Sequence, residues 1–314
     1  MEKGYVIGVD GGNTKTDLTV ADLDGNPIAT LRKGTCSHEA FPDSYSGACR
    51  HLYAYLDELH ALADIPKSSV VSAVFGLAGV DTRAQWACLD GIVFGAGYPL
   101  YQVINDSFLP IYTAGADGLG ICSINGTKTV AGGIDCTGKM VQVGGLGDIT
   151  GDRGGGDYIA FRVTEAAYNE IFRNGPSTAL TSVVLDALDY AEPDALCAAI
   201  QGKILCNTEH RLPLIRALFH LCQDDPVAFA IVEEIAVNLA NSVVGCAGHL
   251  SFPDRIPVIC AGSIWQKAET PLMFERFRAH VEAGLDGRAA VALLAEAPVA
   301  GAVKWAIRNY QAAY

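Results

Sequence analysis

GVDGGNTKTD, residues Gly8 to Asp17, lies near the start of the chain and separates two apolar segments. Tyr5–Val9 precedes the stretch and Leu18-Thr19-Val20 follows it, so the pattern predicts a strand, a turn and a second strand. Paired glycines let a ligand approach backbone N–H groups closely. The same residue types are ordinary in hairpin turns, so the stretch alone leaves a plain turn and a phosphate-binding loop as alternatives.

The composition is typical of a compact globular protein with an acidic net charge. Half of the 314 residues are hydrophobic and only 18% are charged, which excludes a disordered chain. The formal charge of −13 disfavours general binding to nucleic acid or to anionic membranes. It is compatible with a small anionic ligand, because backbone N–H groups and a metal ion can hold phosphate. No secretory pattern precedes Tyr5 and no uninterrupted apolar run reaches membrane-spanning length, so we expect a cytoplasmic protein.

The cysteines and histidines do not form a metal-binding pattern in the sequence. The ten cysteines are scattered and never form a Cys-x-x-Cys pair. In a chain without an export signal we interpret them as reduced thiols that pack as small hydrophobic residues. The seven histidines form no ligand pair at helical spacing, so the sequence indicates neither an iron–sulfur cluster nor a structural metal.

The apolar pattern predicts a mixed sheet with helices in the first part of the chain. Strands are predicted at Tyr5–Asp10, Asp17–Asp22, Pro27–Arg32, Val70–Gly76 and Tyr101–Asn105, and helices at Ser46–Ala63 and Arg83–Phe94. After the glycine-dense stretch Gly144–Gly156 the pattern predicts a largely helical region from Tyr158 to about Leu250, a strand at Ile256–Cys260 and a final helix at Pro298–Tyr314.

The opening unit recurs 113 positions later. The shift converts Thr14-Lys15-Thr16 into Thr127-Lys128-Thr129, and it places Asp22 on Asp135 and Gly25 on Gly138. It also predicts a second strand at Gly118–Ser123. Five identities in one register indicate a duplicated strand–turn–strand unit.

Two common nucleotide-binding fingerprints are absent from the sequence. No Gly-x-x-x-x-Gly-Lys-Ser/Thr sequence occurs, and Gly145-Leu146-Gly147 is followed by Gly151 at the wrong spacing for a dinucleotide-binding turn. The duplicated turns suggest a different device for phosphate. Asp10 could hold Mg²⁺ through water while the N–H groups of residues 11–14 cradle phosphates, with Thr127 contributing from the second turn.

Asp106 directly follows the predicted buried strand Tyr101–Asn105, in the stretch Val103-Ile104-Asn105-Asp106. A carboxylate at such a strand end can accept the proton of a hydroxyl that attacks phosphorus. The alternative is that Asp106 caps a helix over Ser107–Ala114. Ala261-Gly262-Ser263, a third turn at a strand end, could lie against a nucleotide base.

In their order, these motifs resemble those of the N-acetylglucosamine kinase group of BadF-type ATPases, in the sugar kinase, Hsp70 and actin superfamily. The resemblance runs from Gly8 to about Gly301 and includes Pro298-Val299-Ala300-Gly301-Ala302, which is similar to the start of the family's C-terminal helix. It implies an α/β protein of the actin-like, ribonuclease H-like fold, with two duplicated domains around a cleft for ATP and sugar. The implied domains are 1–115 plus 298–314, and 116–297 with the helical region 158–250.

The resemblance also implies an ATP-dependent phosphotransferase that uses Mg²⁺ and phosphorylates a hexosamine, with the C6 hydroxyl of N-acetylglucosamine as the expected acceptor. N-acetylmuramic acid and glucosamine are alternative substrates, and a homodimer is left open. Asp106 would be the catalytic base. The residues implied for the nucleotide are Asp10 (also for the metal), Gly11, Gly12, Asn13, Thr14, Lys15, Gly126, Thr127, Lys128, Ala261, Gly262 and Ser263. Those implied for the sugar are Ser37, His38, Asn105, Asp106, Gly145, Asp152 and Arg153.

Three departures from the family pattern bear on the sugar. Relatives usually carry glycine where Lys128 stands and an acid where Arg153 stands, and their sugar-loop asparagine has no clear equivalent beside Ser37-His38. Lys128 could face the γ-phosphate. Arg153 has two interpretations: it pairs with Asp148 or Asp157, or it meets the carboxylate of an acidic sugar such as N-acetylmuramic acid.

Two other functions stay open at this point. A reductase-activator ATPase of the same superfamily would need cysteines for an iron–sulfur cluster, whereas Ser107-Phe108-Leu109 has none and Cys122 and Cys136 lie apart on predicted strands. A non-catalytic sugar sensor would lack the base, yet Asp106 is present. It would also be expected to add a DNA-binding segment before Tyr5, where only four residues stand.

Overall fold

The computed structural model describes residues 4–114, 117–189, 196–205 and 208–314. Two five-stranded sheets organise the fold, which confirms the predicted α/β class. The strands are β1 (Tyr5–Gly11), β2 (Lys15–Asp22), β3 (Pro27–Gly34), β4 (Val70–Leu77), β5 (Tyr101–Ile104), β6 (Gly120–Asn125), β7 (Thr129–Ile134), β8 (Met140–Gly144), β9 (Ile256–Ala261) and β10 (Ala289–Leu293). The α-helices are α1 (Tyr45–Ala63), α2 (Arg83–Ala96), α3 (Ile111–Ala114), α4 (Gly156–Phe172), α5 (Leu180–Ala187), α6 (Leu196–Ala199), α7 (Arg211–Leu221), α8 (Pro226–Gly248), α9 (Ser263–Lys267), α10 (Leu272–Gly284) and α11 (Pro298–Ala313).

The first sheet gathers three strand ends at one edge. Its order is β3-β2-β1-β4-β5, with β1 antiparallel to β2 and parallel to β4. Because β5 is also parallel to β4, the carboxyl ends of β1, β4 and β5 meet at the same edge. That edge carries the Gly11-Gly12 turn, the loop after Leu77 and the pair Asn105-Asp106.

Alternation along β1 explains how the first sheet is covered on both faces. Ile7 and Val9 belong to a buried cluster that includes Leu52 and Leu56 of α1. Gly8 points to the opposite face, where a Cβ would lie only 2.7 Å from the backbone nitrogen of Val303 in α11. Glycine at position 8 therefore lets α11 pack directly against the backbone of the central strand.

The second sheet has the order β10-β9-β6-β7-β8, and β9 and β10 are parallel. The predicted second strand at Gly118–Ser123 is wrong in its bounds, since β6 runs from Gly120 to Asn125. Gly118 and Gly120 have φ angles of 60° and 142°, which delay the start of the extended strand.

Hydrogen bonds reproduce the predicted repeat at its second turn. In the turn after β2 the Asp22 carboxylate accepts from the N–H groups of Asp24 and Asn26, at 3.0 and 2.8 Å. At the shifted position the Asp135 carboxylate accepts from the N–H groups of Thr137 and Lys139, at 2.8 and 3.0 Å. The same aspartate therefore organises the same turn in both copies.

At the first turn the two copies differ in length by one residue. The N–H of Gly12 donates to the carbonyl of Lys15 at 2.9 Å, whereas the N–H of Gly126 donates to the carbonyl of Lys128 at 3.1 Å. The strand before each turn therefore aligns with a shift of 114, and the strand after it with a shift of 113. The shorter second turn accounts for one of the two residues by which β6 extends past the predicted end at Ser123, and the other arises because β1 itself ends at Gly11 and not at Asp10.

The chain divides into two compact units. The first contains Met1–Cys122, Gly133–Met140 and Leu294–Tyr314, and the second contains Ser123–Gly132 and Val141–Leu293. In the second unit α8 is long and apolar enough to cross a membrane, by length and composition only. That is weak evidence, because buried core helices pass the same test. Two glutamates interrupt the apolar sequence of this helix and form ion pairs, Glu233 with Arg276 and Glu234 with Arg162.

Candidate active site

Asp10 lies at the carboxyl end of β1 and is only 9% exposed. Among the described residues no hydrogen-bond partner is found for its carboxylate. Burial raises its pKa to about 7, with a further contribution from Asp17, which faces it across the β1–β2 ladder. A buried carboxylate without a partner fits a cation site, and Asp10 would hold Mg²⁺.

Within the described ranges no group of three or more His, Cys, Asp or Glu side chains could hold a metal on its own. Mg²⁺ commonly binds proteins through one or two carboxylates together with substrate phosphates and water. The single acid at Asp10 therefore fits a metal that arrives with a nucleotide better than a resident metal.

Asp106 directly follows β5 and faces the turn after β1. Its Oδ2 lies 4.0 Å from the position that a Cβ on Gly12 would take. Burial, followed by the charges of Asp10 and Asp81, raises the pKa of Asp106 to about 8. A carboxylate with such a pKa binds a proton well, which is the property that a general base requires.

The alternative role for Asp106, as the cap of a helix over Ser107–Ala114, is wrong. The predicted helix is divided into a 3₁₀ turn over Asp106–Phe108 and the short helix α3. The cap of the 3₁₀ turn is Asn105, whose side-chain oxygen accepts from the N–H of Ser107 at 2.9 Å.

The Asn105 side chain forms hydrogen bonds within the protein. The side chain is 4% exposed, and its nitrogen donates to the Asp81 carboxylate at 3.0 Å and to the carbonyl of Val80 at 3.5 Å. The predicted contact between this amide and the sugar stays a prediction. Asn105 instead joins the β4–α2 loop to the segment that carries Asp106.

Sequence reasoning missed two residues near these acids. Asp81 lies in the loop after β4, and its charge raises the pKa of Asp106. Cys36 is 4% exposed, and its Sγ lies 3.0 Å from the position of a Cβ on Gly11. A loop acid and an isolated cysteine carry no spacing signal, so only the parallel order of β1, β4 and β5 could have indicated Asp81.

The turn between β1 and β2 presents Asn13 and Thr14 to solvent, while Lys15 has a partner. The Lys15 ammonium lies 2.7 Å from the buried carboxylate of Asp17, which also binds Arg32 through two hydrogen bonds of 2.5 and 2.9 Å. Although burial opposes it, these hydrogen bonds from Arg32 and Lys15 hold the pKa of Asp17 below its usual value. The predicted contact of Lys15 with the nucleotide remains a prediction.

Ser37 and His38, predicted near the sugar, are both buried. The Ser37 hydroxyl accepts from the N–H of Glu39 at 3.4 Å and so caps a short 3₁₀ turn. The His38 ring stacks on Tyr45 with the ring centroids 4.4 Å apart, and its Cε1 lies 2.6 Å from the position of a Cβ on Gly79. These contacts give the two residues a packing role, and their contact with a sugar remains a prediction.

In the second unit, the turn of Gly126, Thr127 and Lys128 packs against the start of α4. The carbonyl of Gly126 accepts from the N–H of Gly156 at 2.8 Å. A Cβ on Gly155 would lie 2.2 Å from the carbonyl oxygen of Thr127, so only glycine permits this approach. The amino end of a 17-residue helix therefore lies beside the turn that sequence analysis assigns to phosphate.

Asp152 organises the glycine-rich loop before α4. Its Oδ2 accepts from the N–H of Gly147 and from the hydroxyl of Thr150, both at 2.7 Å. Gly144 and Gly145 have φ angles of 81° and 94°, in the region that favours glycine. The loop is thus closed on Asp152, whose predicted contact with the sugar stays a prediction.

One of the two ion pairs proposed for Arg153 is wrong. The carboxylate of Asp157 instead accepts from Arg211 at 2.6 Å, and the side chain of Asp148 lies outside the described residues. Arg153 lines a cavity of about 380 Å³ with Tyr158, Arg162, Glu165 and Glu234. In this cavity the Tyr158 hydroxyl and the Arg162 guanidinium both donate to Glu234, at 2.5 and 2.8 Å.

Cys136 corrects one detail of the rival activator function. Cys122 is buried in β6 as predicted, but Cys136 is exposed in the turn that Asp135 organises, not in a strand. The prediction of a largely helical region after Tyr158 is confirmed for the described part of α4 to α8.

The sequence of this chain is similar to those of known proteins. The sequence profile of the BadF/BadG/BcrA/BcrD ATPase family matches residues 7–303. An N-acetylmuramic acid/N-acetylglucosamine kinase of Clostridium acetobutylicum is 28% identical over 81% of this chain and 83% of its own length. An N-acetyl-D-glucosamine kinase of Dictyostelium discoideum is 24% identical over 83% of this chain and 86% of its own.

Solved structures support the fold. A putative N-acetylglucosamine kinase from Chromobacterium violaceum superposes with a TM-score of 0.71 at 20% identity, covering 96% of this chain and 99% of the other. A ROK family glucokinase from Streptomyces griseus gives 0.60 at 19% identity, covering 98% and 100%. Both likenesses agree with the expected actin-like ATPase fold.

Proposed function

This chain belongs to the BadF/BadG/BcrA/BcrD ATPase family and is an ATP-dependent sugar kinase, and on that premise we propose that it phosphorylates the C6 hydroxyl of N-acetylglucosamine. The observation that carries the proposal is the position of the Asp106 carboxylate beside Gly12, in the turn that follows β1. A phosphate-binding turn and a basic carboxylate at one sheet edge are the two parts that phosphoryl transfer to a hydroxyl requires. A cytoplasmic location, where ATP is available, is part of the same proposal.

In the proposed mechanism Asp106 accepts the proton of the sugar hydroxyl as its oxygen attacks the γ-phosphorus of ATP. The O–H bond breaks as the new P–O bond forms, and ADP leaves with the electron pair of the bond to the γ-phosphorus. The backbone N–H groups of residues 11–14 would bind phosphate oxygens. Mg²⁺ held by Asp10 would supply the positive charge that offsets the phosphates and the neighbouring acids.

The test is product identification with purified protein, ATP and a panel of amino sugars. We expect stoichiometric ADP formation with N-acetylglucosamine, and a phosphorus NMR signal coupled to the two C6 protons of the product. ADP formation that does not depend on any amino sugar would contradict the proposal. A phosphate on another carbon would contradict the C6 assignment alone.

A second candidate substrate is an acidic amino sugar, N-acetylmuramic acid. Arg153 is exposed and without an observed acidic partner among the described residues, and it lines a polar cavity with Arg162. A guanidinium binds a carboxylate through two parallel hydrogen bonds, and such a contact is worth about 1.5–3 kcal/mol. That energy corresponds to a preference of roughly 10- to 150-fold for the acidic sugar.

The deciding comparison is kcat/KM for N-acetylmuramic acid and N-acetylglucosamine in the native protein and in Arg153→Glu. If the acidic sugar binds Arg153, the variant should lose the preference while its kcat/KM for N-acetylglucosamine changes little. Arg216→Glu is the matched control, because Arg216 is exposed on α7 and makes no observed ion pair in the described part of the chain. A native enzyme that does not use the acidic sugar would leave N-acetylglucosamine as the substrate.

A further inference from the structure

Asn125 ends β6, immediately before the turn assigned to phosphate. The next residue, Gly126, donates from its N–H to Lys128 at 3.1 Å and accepts at its carbonyl from Gly156 at 2.8 Å. Asn125 is therefore covalently joined to the residue that links this turn to the start of α4.

The turn assigned to adenosine presses on the same residue from β9. A Cβ on Gly262 would lie 2.4 Å from the carbonyl oxygen of Asn125 and 3.0 Å from its backbone nitrogen. Gly262 also has a φ of 109°, so no other residue fits this position without strain. Both predicted nucleotide turns thus meet at the backbone of Asn125.

The side chain of Asn125 is completely buried, yet its amide nitrogen and oxygen both lack a hydrogen-bond partner. Buried amides are almost always paired, because an unpaired donor or acceptor forfeits its hydrogen bonds to water. Asn105, which directly follows β5, shows the usual outcome, since its amide nitrogen and oxygen both form hydrogen bonds.

The first hairpin confirms that this position does not demand an amide. Gly11 is the counterpart of Asn125 in β1, and a Cβ there would lie 2.7 Å from Leu77. The first hairpin therefore has no room for a side chain at this position, whereas the second hairpin buries an amide there without a hydrogen-bond partner. An apolar residue of the same size at position 125 would remove the penalty, so the amide is retained at a cost to the free protein.

We propose that Asn125 is a positioning residue for a nucleoside di- or triphosphate. Nucleotide binding shifts the Gly126 and Gly262 turns and gives the Asn125 amide the partners that it lacks in the free protein. The amide then contributes to nucleotide affinity by holding the two turns in their bound arrangement. This inference rests on the proposed function and deepens it.

The experiment uses Asn125→Leu, which keeps the side-chain volume and removes the polar atoms. We expect the melting temperature of the free variant to equal or exceed that of the native protein. KM for ATP should rise about 5- to 10-fold, the equivalent of one or two hydrogen bonds, while KM for the sugar stays within about twofold. The increase in melting temperature on adding ADP with Mg²⁺ should shrink in parallel.

Asn238→Leu is the matched control. Asn238 lies on α8, and its side-chain nitrogen is also buried and unpaired. The control should leave KM for ATP unchanged. It shows whether the loss of any buried unpaired amide alters KM for ATP, or only the loss of the one at position 125. Should Asn125→Leu fail to fold, Asn125→Ala, which also removes the polar atoms, carries the same test through KM for ATP.

A KM for ATP within twofold of the native value in the position-125 variant would overturn the inference, and so would an equal rise in KM for the sugar. The first result would mean that hydrogen bonds to an internal water, or packing alone, explain the presence of a buried amide at position 125. The second would mean general loosening of the fold. A native protein that ADP does not stabilise would contradict the proposed function instead, so the two failures are distinguishable.

Discussion

Asp10 and Asp106 are two buried acids whose pKa values are both raised, for partly different reasons. Burial is the largest cause for both, and Asp106 also feels the charges of Asp10 and Asp81. A positive charge between them would restore both to the ionised form. The ionised forms are the ones that the proposed roles require, since Asp10 would hold a cation and Asp106 would accept a proton.

Asp106→Asn keeps the shape of the side chain and removes the proton acceptor. Turnover should fall by about 10²- to 10⁴-fold, while KM for ATP changes by less than about twofold. Steady-state kinetics checks both values. Asp24→Asn is the control, because Asp24 lies exposed in the β2–β3 turn. Near-native turnover in the position-106 variant would remove Asp106 from the mechanism.

Gly11 and Gly12 should respond to alanine in opposite ways. A Cβ on Gly11 would lie 2.7 Å from Leu77 and 3.0 Å from Cys36, so Gly11→Ala should lower the free energy of unfolding by about 1–3 kcal/mol. A Cβ on Gly12 meets nothing closer than 3.4 Å, so Gly12→Ala should fold normally. Its methyl group would lie toward Asp106, where it should raise KM for ATP about tenfold.

Thermal melts and KM for ATP of the two alanine variants check this pair of expectations. Neither glycine has a positive φ, so the usual argument from left-handed backbone angles does not apply to them. A destabilised Gly12→Ala protein with normal KM would show that this glycine serves the turn and not the ligand.

Single residues were predictable only where strand order and motif spacing indicated them. Asp10 and Asp106 follow apolar runs that could be recognised as buried strands. Asp81 has no such signal. The buried environment of the Asn125 amide could not be predicted either, because it is formed by residues distant in sequence, such as Gly262. The pairing of Asp157 with Arg211 likewise joins residues 54 positions apart.

At the scale of elements, all five strands of the first sheet were predicted, whereas the two edge strands of the second sheet were not. Strands β1, β2 and β4 are buried almost throughout, so their apolar runs are clear in the sequence. The edge strands β8 and β10 are half-buried or exposed along most of their length, and their sequences lack a continuous apolar pattern. Sequence patterns therefore predicted the strands that carry Asp10 and Asp106 better than the edge strands of the second sheet.

The pair of helices α8 and α10 should lose stability in acid. Hydrogen bonds from Arg276 lower the pKa of Glu233 to about 2, with a smaller contribution from His280 and against the effect of burial. Because the folded pKa lies below the unfolded value of 4.5, the stabilisation is complete above about pH 4.5 and is lost as the pH falls through about 2.

Glu233→Gln should therefore cost about 1 kcal/mol at pH 7, a figure reduced for the partial exposure of Arg276, and almost nothing once the pH is below about 2. Urea unfolding at several pH values measures this. Glu296→Gln is the control, because Glu296 and Lys304 form an exposed pair that should contribute little. A loss at position 233 that does not depend on pH would show that packing, not charge, is responsible.

At the scale of the whole molecule, the residues predicted for the nucleotide are divided between the two compact units. Asp10 to Lys15 belong to the first unit, and Gly126 to Lys128 with Ala261 to Ser263 belong to the second. ADP with Mg²⁺ should slow amide hydrogen exchange at the turns of both units, because backbone N–H groups there would bind phosphate. Protection confined to one unit would contradict the assignment of the other.

The central claim is that this chain transfers phosphate from ATP to an amino sugar with Asp106 as the base. The most direct measurement is the rate of sugar-phosphate formation from radiolabelled ATP and N-acetylglucosamine, for the native protein and Asp106→Asn at equal concentration. The account predicts one labelled sugar phosphate from the native protein, and a rate at least about 100-fold lower from the variant with ATP binding retained. Equal rates for the two proteins, or labelled inorganic phosphate as the product of the native enzyme, would contradict it.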